Sequence, residues 1–364
     1  MKATIVTCYE SNEERVAFVK ETCLEKGFET EVITSDFSHV RKTLRNNIPE
    51  GYHAIRTRPY YRNISVTRLL SHHEFARDAF ALIREQKPDL LWVVAPANSL
   101  VKQAALYQKT HPGTCIIIDI IDMWPESLPL KYDMHKFPFS IWRNVRKNYL
   151  YCADHLVSEC DFYQQILKEE YQGKMTTIHW AKEEDFIREK DHLGNGLSLL
   201  YLGSINNIID IGLISRIISS LDEHVTLHVV GDGENKDLFI NELGKICEVI
   251  YYGEVRDEQR KSEICSRCHA GINLYKEGLY IGLTVKCIDY FGHGLPIINN
   301  IKGDTYAMVE QYDLGINVDQ KDVSAKELKR LRSESDRIYA FYQQHFTKTI
   351  SKKKCHEVID EVLK

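Results

Sequence analysis

Three stretches early in the chain, ATIVTCY from Ala3, LLWVVAP from Leu90 and CIIIDII from Cys115, are apolar without the alternation of a half-solvated strand. A strand that reads this way is buried on both faces, which calls for a parallel sheet covered by helices above and below. The intervening segments fit that demand. EERVAFVKETCLEKG and HHEFARDAFALIREQ have helical spacing, Lys87-Pro88-Asp89 ends the second of them, a further helix is expected from Ser99, and TEVIT adds another strand. The first half is therefore expected to be a doubly wound α/β domain.

A second series of the same kind starts near Gly196. It runs LSLLYLG, the helix IGLISRIISSL, VTLHVVG, the helix KDLFINELGKIC, VIYYGEV, the helix RKSEICSRC, HAGINLY, another helix and PIIN. Several of these strands end in glycine, where a ligand crossing the strand tips needs close approach to the backbone. A chain of 364 residues exceeds what one core usually serves. Two Rossmann-like domains are expected, 1–185 and 186–340, joined through the acidic stretch from Ala181 to Gly196, with a charged, mostly helical tail.

Composition narrows the function. A formal charge of −5 gives no global attraction to nucleic acid. The N-terminus turns acidic before any signal-peptide core is complete, and no run of apolar residues is long enough to span a bilayer, so a cytoplasmic chain is expected. The 10 cysteines are scattered, as in a reducing compartment. Cys265-Ser-Arg-Cys268-His269 has the pattern of a haem attachment, but a face of a helix explains it without export. Asp119-Ile-Ile-Asp122 lacks the spacing of an Asp-x-Asp metal motif, and no obligatory metal or cofactor is expected.

The stretch GLTVKCIDYFGHGLPIIN, from Gly282, carries the chemistry. Gly282, Leu283 and Thr284 precede a helix, whose free amides and positive dipole end suit a phosphate. Lys286 adds a charge in the first turn, and Asp289 could accept hydrogen bonds from two ribose hydroxyls. Gly294 and Pro296 end the helix. A solvated Lys-Asp pair on a surface helix accounts for the same residues.

Lys286, Asp289-Tyr290 and Gly294-Leu295-Pro296-Ile297-Ile298 resemble the donor-binding motif of GT-B glycosyltransferases, in particular the family 4-like enzymes of bacterial surface polysaccharide (capsule-type) assembly, with Asp in place of Glu. Tyr201-Leu202-Gly203-Ser204 with Ile209-Asp210-Ile211, Val229-Val230-Gly231-Asp232-Gly233, Tyr252-Gly253-Glu254-Val255 and Asp122-Met123-Trp124-Pro125-Glu126-Ser127 fit the same enzymes in order. The resemblance implies two Rossmann-like domains facing across a cleft, with the final helix, 341–364, packing back on the first. It implies a nucleotide-sugar donor, UDP-linked, held by the second domain. Asp289 would hold ribose, Lys286 and the amides at Gly282, Leu283 and Thr284 the diphosphate, Gly203 and Ser204 its phosphate side, with Gly231 at a neighbouring strand end and Gly253 and Glu254 flanking the base. The acceptor would be a lipid-linked or growing glycan, and the activity hexosyl transfer.

The sequence departs from that family in places. The position eight residues before the ribose carboxylate, often Glu, is Ile281, and Glu277 is the acid that a longer loop could bring in. An Arg-Lys pair usual after the first strand of the second domain is absent. Asp122, beyond CIIIDII, is the expected catalytic or acceptor-orienting carboxylate; capping of the turn before Trp124-Pro125 is its other reading. Arg56, Arg58 and Arg62, interleaved with tyrosines, and Trp142, Arg143, Arg146 and Lys147, behind Phe137-Pro138, would form a cationic and apolar face for an anionic membrane or the acceptor. This places the chain peripherally at the inner face of the plasma membrane. Two other readings stay open: a sugar-nucleotide epimerase of the same fold, and a silent subunit supporting a partner transferase.

Overall fold

The computed structural model describes residues 1–127, 139–184, 187–319 and 321–364. They form two compact units, Met1–Trp180 with Thr349–Lys364, and Ala181–Lys348. Phe137 and Pro138, and the expected boundary at 185/186, lie outside the described residues.

The first unit holds strands β1 (Lys2–Thr7), β2 (Glu29–Ser35), β3 (Tyr52–Ile55), β4 (Leu90–Ala95), β5 (Cys115–Ile120), β6 (His155–Ser158) and β7 (Met175–Thr177). They make one sheet in the order β3-β2-β1-β4-β5-β6-β7, every pairing parallel. Helices α1 (Glu13–Glu25), α2 (Val66–Gln86), α3 (Asn98–Gln108), α4 (Phe139–Tyr149) and α5 (Asp161–Leu167) belong to it. All of β4 is buried, as its unbroken apolar run requires. The core also contains an ion pair: Arg15 grips both oxygens of Asp119 at 2.8 and 2.9 Å, and Trp92 Nε1 donates to the same carboxylate at 3.1 Å. With both partners fully buried, Asp119 is a fastening of the sheet, and Asp122 is left as the acid past the tip of β5.

The second unit holds β8 (Leu197–Leu202), β9 (Val225–Val230), β10 (Glu248–Gly253), β11 (Ala270–Asn273), β12 (Ile297–Asn299) and β13 (Gly315–Asn317). This sheet is also parallel throughout, in the order β10-β9-β8-β11-β12-β13. Its helices are α6 (Ile211–Ser220), α7 (Lys236–Leu243), α8 (Glu258–Cys265), α9 (Val285–Gly292), α10 (Asp304–Tyr312), α11 (Ala325–Ser333) and α12 (Ser335–His345); α13 (Lys348–Val362) follows, counted from Thr349 with the first unit. There Lys352 approaches Glu21 at 3.3 Å and His356 approaches Glu25 at 2.9 Å, both on α1.

In each sheet the strand order reverses once, between β1 and β4 and between β8 and β11. Ligands of doubly wound sheets sit beyond the strand ends at such reversals.

Two devices fix α9 against its sheet. The Tyr290 phenol accepts the Leu202 amide at 2.9 Å and lies 3.2 and 3.3 Å from the carbonyls of Leu200 and Ile272. Its ring stands over Gly271, where a Cβ would come within 2.6 Å of ring carbons, so only glycine fits beneath it. In front of α9, an amide ladder crosses the strand tips. Thr284 Oγ1 donates to Asn273 Oδ1 at 3.0 Å, Asn273 Nδ2 to Asn299 Oδ1 at 2.8 Å, Asn299 Nδ2 to Asn317 Oδ1 at 2.7 Å, and Asn317 Nδ2 to the Tyr306 carbonyl at 3.1 Å.

Candidate functional site

Helix α9 begins at its N-cap Thr284, whose backbone is extended and whose side chain makes no capping bond because the hydroxyl turns inward to the ladder. Gly282 is fastened too, its carbonyl accepting from the amide and hydroxyl of Thr305 at 2.9 and 3.0 Å. The amides of Leu283, Thr284, Val285 and Lys286 make no hydrogen bond among the described residues. Gly282, Leu283 and Thr284 are buried and Val285 carries the exposure, so the alternative of a solvated Lys-Asp pair on a surface helix does not describe this helix start.

Lys286 is buried as well, only 9% exposed. Its Nζ has no hydrogen-bond partner and lies 4.4 Å from the ring centroid of Tyr201 and 4.7 Å from that of Tyr275. Tyr201 is on β8 and Tyr275 just past β11, so the ammonium stands at the strand-order reversal. Cation–π contact offsets part of the lost hydration. The remainder shows in the titration: burial lowers the Lys286 pKa from its ordinary value to about 7, with the neighbouring Cys287 raising it slightly. The lysine therefore carries a partial charge at neutral pH, and an anion at Nζ would restore it in full. Neither tyrosine was singled out for this role by the sequence.

The glycines expected at strand tips do come together. Gly203, Gly231 and Gly253 follow or end β8, β9 and β10, all with positive φ, and the Gly231 amide donates to the Gly253 carbonyl at 2.8 Å. Gly231 packs on Gly203 so closely that a Cβ there would lie 2.0 Å from the Gly203 carbonyl oxygen, while a Cβ on Gly203 would sit 3.9 Å from Lys286 Cε. The backbone thus forms a floor beside the lysine that any side chain would fill. Ser204 is exposed past the tip, its carbonyl accepting from Tyr201 Oη at 2.7 Å. Glu254 is exposed and pairs with Arg256 at 3.1 Å.

Asp289, one turn beyond Lys286, is buried with Lys182 Nζ 3.8 Å from its Oδ1. Lys182, read only as linker, is thus a neighbour of the candidate ribose carboxylate. Glu277 and Ile281 both line a cavity of about 680 Å³ whose wall includes Tyr275, Asp210, Arg216 and Lys302. The loop after β11 therefore presents Glu277 to a space bounded by the tyrosine that also flanks Lys286.

In the first unit, Asp122 accepts from Trp124 Nε1 at 2.7 Å and from the Ser127 hydroxyl. Burial raises its pKa above the ordinary carboxylate value, against those two hydrogen bonds. Sequence reading missed Glu159, one residue past β6 and beside β5 in the sheet. Its amide donates to the Ile120 carbonyl at 3.2 Å and its Oε2 accepts from Trp180 Nε1 at 2.6 Å. Burial, then the charge of Asp122, pushes the Glu159 carboxyl up to about 8. An acid immediately after HLVS was the available signal.

The supposed membrane face is only partly a face. Arg146 is 1% exposed, bound to Glu126 and Glu170 at 2.7 and 2.8 Å, and Arg143 lies 3.1 and 3.3 Å from the same two acids. Trp142 is half-buried, its carbonyl accepting from Asn98 at 3.0 Å. The acids that hold these arginines are distant in sequence, which is why the run reads as a surface. Lys147, Arg56, Arg58 and Arg62 are exposed, with Arg58 paired to Glu74. Among the described residues no cluster of three or more His, Cys, Asp or Glu is placed to hold a metal ion.

Solved structures of the same architecture match the chain along its length. Sucrose-phosphate synthase of Thermosynechococcus elongatus superposes with a TM-score of 0.73 at 12% identity, over 100% of this chain and 99% of that one. Anabaena HepE, solved in complex with UDP, gives 0.68 at 11% identity, over 99% of this chain and 100% of its own. The fold is GT-B. A structure described as a putative UDP-N-acetylglucosamine 2-epimerase from Listeria monocytogenes gives 0.58 at 11% identity over 100% and 96% of the two chains. No protein-family model and no curated protein matches the sequence.

Proposed function

We propose that the GT-B chain is a glycosyltransferase that takes a sugar from a nucleotide donor of the UDP type and passes it to a lipid-linked or growing glycan. The observation that carries this is Lys286: a buried ammonium without a hydrogen-bond partner, held between two tyrosine rings beside a glycine floor at a strand-order reversal. A diphosphate supplies the missing counter-charge there, and the unpaired amides at the start of α9 add donors to it. The UDP named in the HepE structure supports the choice of donor.

In this reading Lys286 stabilises charge gathering on the leaving diphosphate, and Asp289 holds the ribose. Glu277 faces the donor sugar from the cavity wall. Asp122 orients the acceptor hydroxyl or takes its proton as the new glycosidic bond forms. Exposed Tyr61, Ile64, Val66, Leu69 and Leu70 lie in the same stretch as Arg56, Arg58 and Arg62. That mixture of apolar and cationic side chains supports contact with an anionic membrane, where a lipid-linked acceptor resides.

Incubation with a panel of UDP-sugars, followed by mass spectrometry and sugar chromatography, tests the reading. Slow release of free sugar and UDP is expected without acceptor. An isomerised nucleotide sugar would mean epimerisation, and tight UDP binding with no turnover on any donor would mean a silent subunit.

A further inference from the structure

We propose that the first unit carries a second anion site, built around Arg68, that receives a phosphate group of the acceptor. Its assignment to an acceptor rests on the transferase reading, whereas every residue of the site belongs to the first unit.

Arg68 is 2% exposed, yet no carboxylate lies within ion-pair distance of it among the described residues. Its guanidinium is held by rings: the carbon sits 3.7 Å from the Trp124 centroid and 5.6 Å from those of Tyr9 and Tyr60. Its Nη1 donates to the Asn63 carbonyl at 2.6 Å and its Nη2 to Tyr9 Oη at 3.0 Å, while Nε has no partner. The Tyr9 hydroxyl lies 2.6 Å from His72 Nε2. With Tyr9 Oη accepting from Arg68 and donating its one hydrogen to His72 Nε2, the proton of the neutral imidazole sits on Nδ1; in the other tautomer the oxygen accepts from both. That Nδ1 is also buried without a partner. The Arg68 Nε–H donor and the His72 Nδ1 atom thus share one cluster, both buried and both without a partner, a costly arrangement unless something fills it.

The surroundings are cationic. Lys42 stands 4.8 Å from the Tyr60 centroid and 3.4 Å from His39 Nδ1. Burial first, then the charges of Arg68 and Lys42, drive His39 down to about 3, and burial and Arg68 push His72 well below its ordinary value. Glu10, the acid in the loop after β1, is occupied by the Ser38 hydroxyl at 2.5 Å and by the His39 and Val40 amides, both at 2.9 Å.

Position agrees with charge. Tyr9 lies just past β1, at the strand-order reversal of this sheet, where ligands of such sheets bind. Trp124, against which Arg68 stacks, donates to Asp122, so an anion on Arg68 would be one indole away from the candidate catalytic acid. Two of the five guanidinium hydrogens are engaged, by the Asn63 carbonyl and Tyr9 Oη, and Nε–H is among those left. The polar atoms that converge come from Arg68 and His72 on α2 and from Lys42 in the loop after β2, whose ammonium gives one of its three hydrogens to Asn63 Oδ1. Convergence from separate elements suits a tetrahedral oxyanion, which accepts on every side.

The test is calorimetric titration of the full chain carrying Lys286→Met, so that phosphate affinity of the donor lysine does not contribute. The probes are glucose 1-phosphate, geranyl phosphate and acetate. Binding of at least one phosphate probe is expected, weakened tenfold or more by Arg68→Gln and by Lys42→Ala, with acetate much weaker. A preference for glucose 1-phosphate assigns the site to a water-soluble acceptor, and a preference for geranyl phosphate to a lipid headgroup. The proposal is overturned if neither phosphate probe binds at millimolar concentration, if acetate binds as well as they do, or if both variants stay within twofold. Should Arg68→Gln fail to fold, Lys42→Ala, at the half-exposed rim, decides alone. UDP titration of the unmodified chain reads the donor site separately, so intact UDP binding beside absent probe binding removes this site and leaves the donor reading standing.

Discussion

Replacing Lys286 by Met should make the empty protein more stable and less able to hold a nucleoside diphosphate, with both effects depending on pH in a defined direction. The Lys286 pKa falls from 10.5 to about 7 on folding. Between those values the unfolded chain binds the proton and the folded chain does not, so stability rises with pH across this window. At about 1.4 kcal/mol per pKa unit, the penalty is on the order of 4 kcal/mol at pH 7 and about 2 kcal/mol at pH 9. Denaturant unfolding of both proteins should therefore show a gap in favour of Lys286→Met that shrinks by about 2 kcal/mol from pH 7 to pH 9. Binding gives the complementary reading. At pH 8 roughly nine-tenths of the free protein has a neutral Lys286, so a diphosphate that restores the charge must draw in close to one proton. Calorimetry in buffers of different ionisation enthalpy measures that uptake, which Lys286→Met should abolish along with at least a tenfold loss of affinity. Parallel stability curves together with UDP binding free of proton uptake would refute the reasoning, because Lys286 would then be neither strained in the empty site nor recharged in the filled one.

Gly231→Ala places a methyl 2.0 Å from the Gly203 carbonyl oxygen at a φ of 139°, and should cost more than about 2 kcal/mol in thermal unfolding and remove measurable UDP affinity. Asp122→Asn should lower turnover at least tenfold and leave UDP affinity within twofold, as measured by steady-state kinetics and calorimetry; unchanged turnover would strike Asp122 from the chemistry. Glu159 has a carboxyl raised to about 8, so the folded chain holds its proton where the unfolded chain has lost it, and stability falls as pH climbs from about 5 to 8. Glu159→Gln should flatten that fall in denaturant titrations. Replacing Arg56, Arg58 and Arg62 together by Ala should reduce co-sedimentation with anionic vesicles, with no matching loss when Arg146, already held by two acids, is the residue changed.

The long, evenly apolar strands announced both sheets, and their glycine ends marked the tips that carry the candidate donor site. What local pattern could not carry was length and depth. Strands β3, β6, β7 and β13 run three or four residues, too short to show a period, so both edges of the first sheet and one edge of the second were missed. Helix α2 starts at Val66, behind the Ser65 cap that accepts the Arg68 amide, instead of at His72; its first turns escaped notice because Val66, Leu69 and Leu70 face outward, against the polarity expected of an exposed turn. The spacing of Lys286 and Asp289 was legible, but the rings around Lys286 come from two different strands, and only the folded sheet brings them together. Arg146 and Arg68 show the same limit from opposite sides. Both sit in basic runs and both are buried, one neutralised by remote acids and the other by none.

The asparagine ladder has a direction. From Thr284 through Asn273, Asn299 and Asn317 to the Tyr306 carbonyl, each member gives a hydrogen forward and takes one from behind. Serine is too short to hand the bond on, aspartate has nothing to give, and leucine severs two links at once. The three positions can therefore change only as a set, and a lesion at Asn317, on the outermost strand, should be felt at the threshold of α9, three hydrogen bonds away.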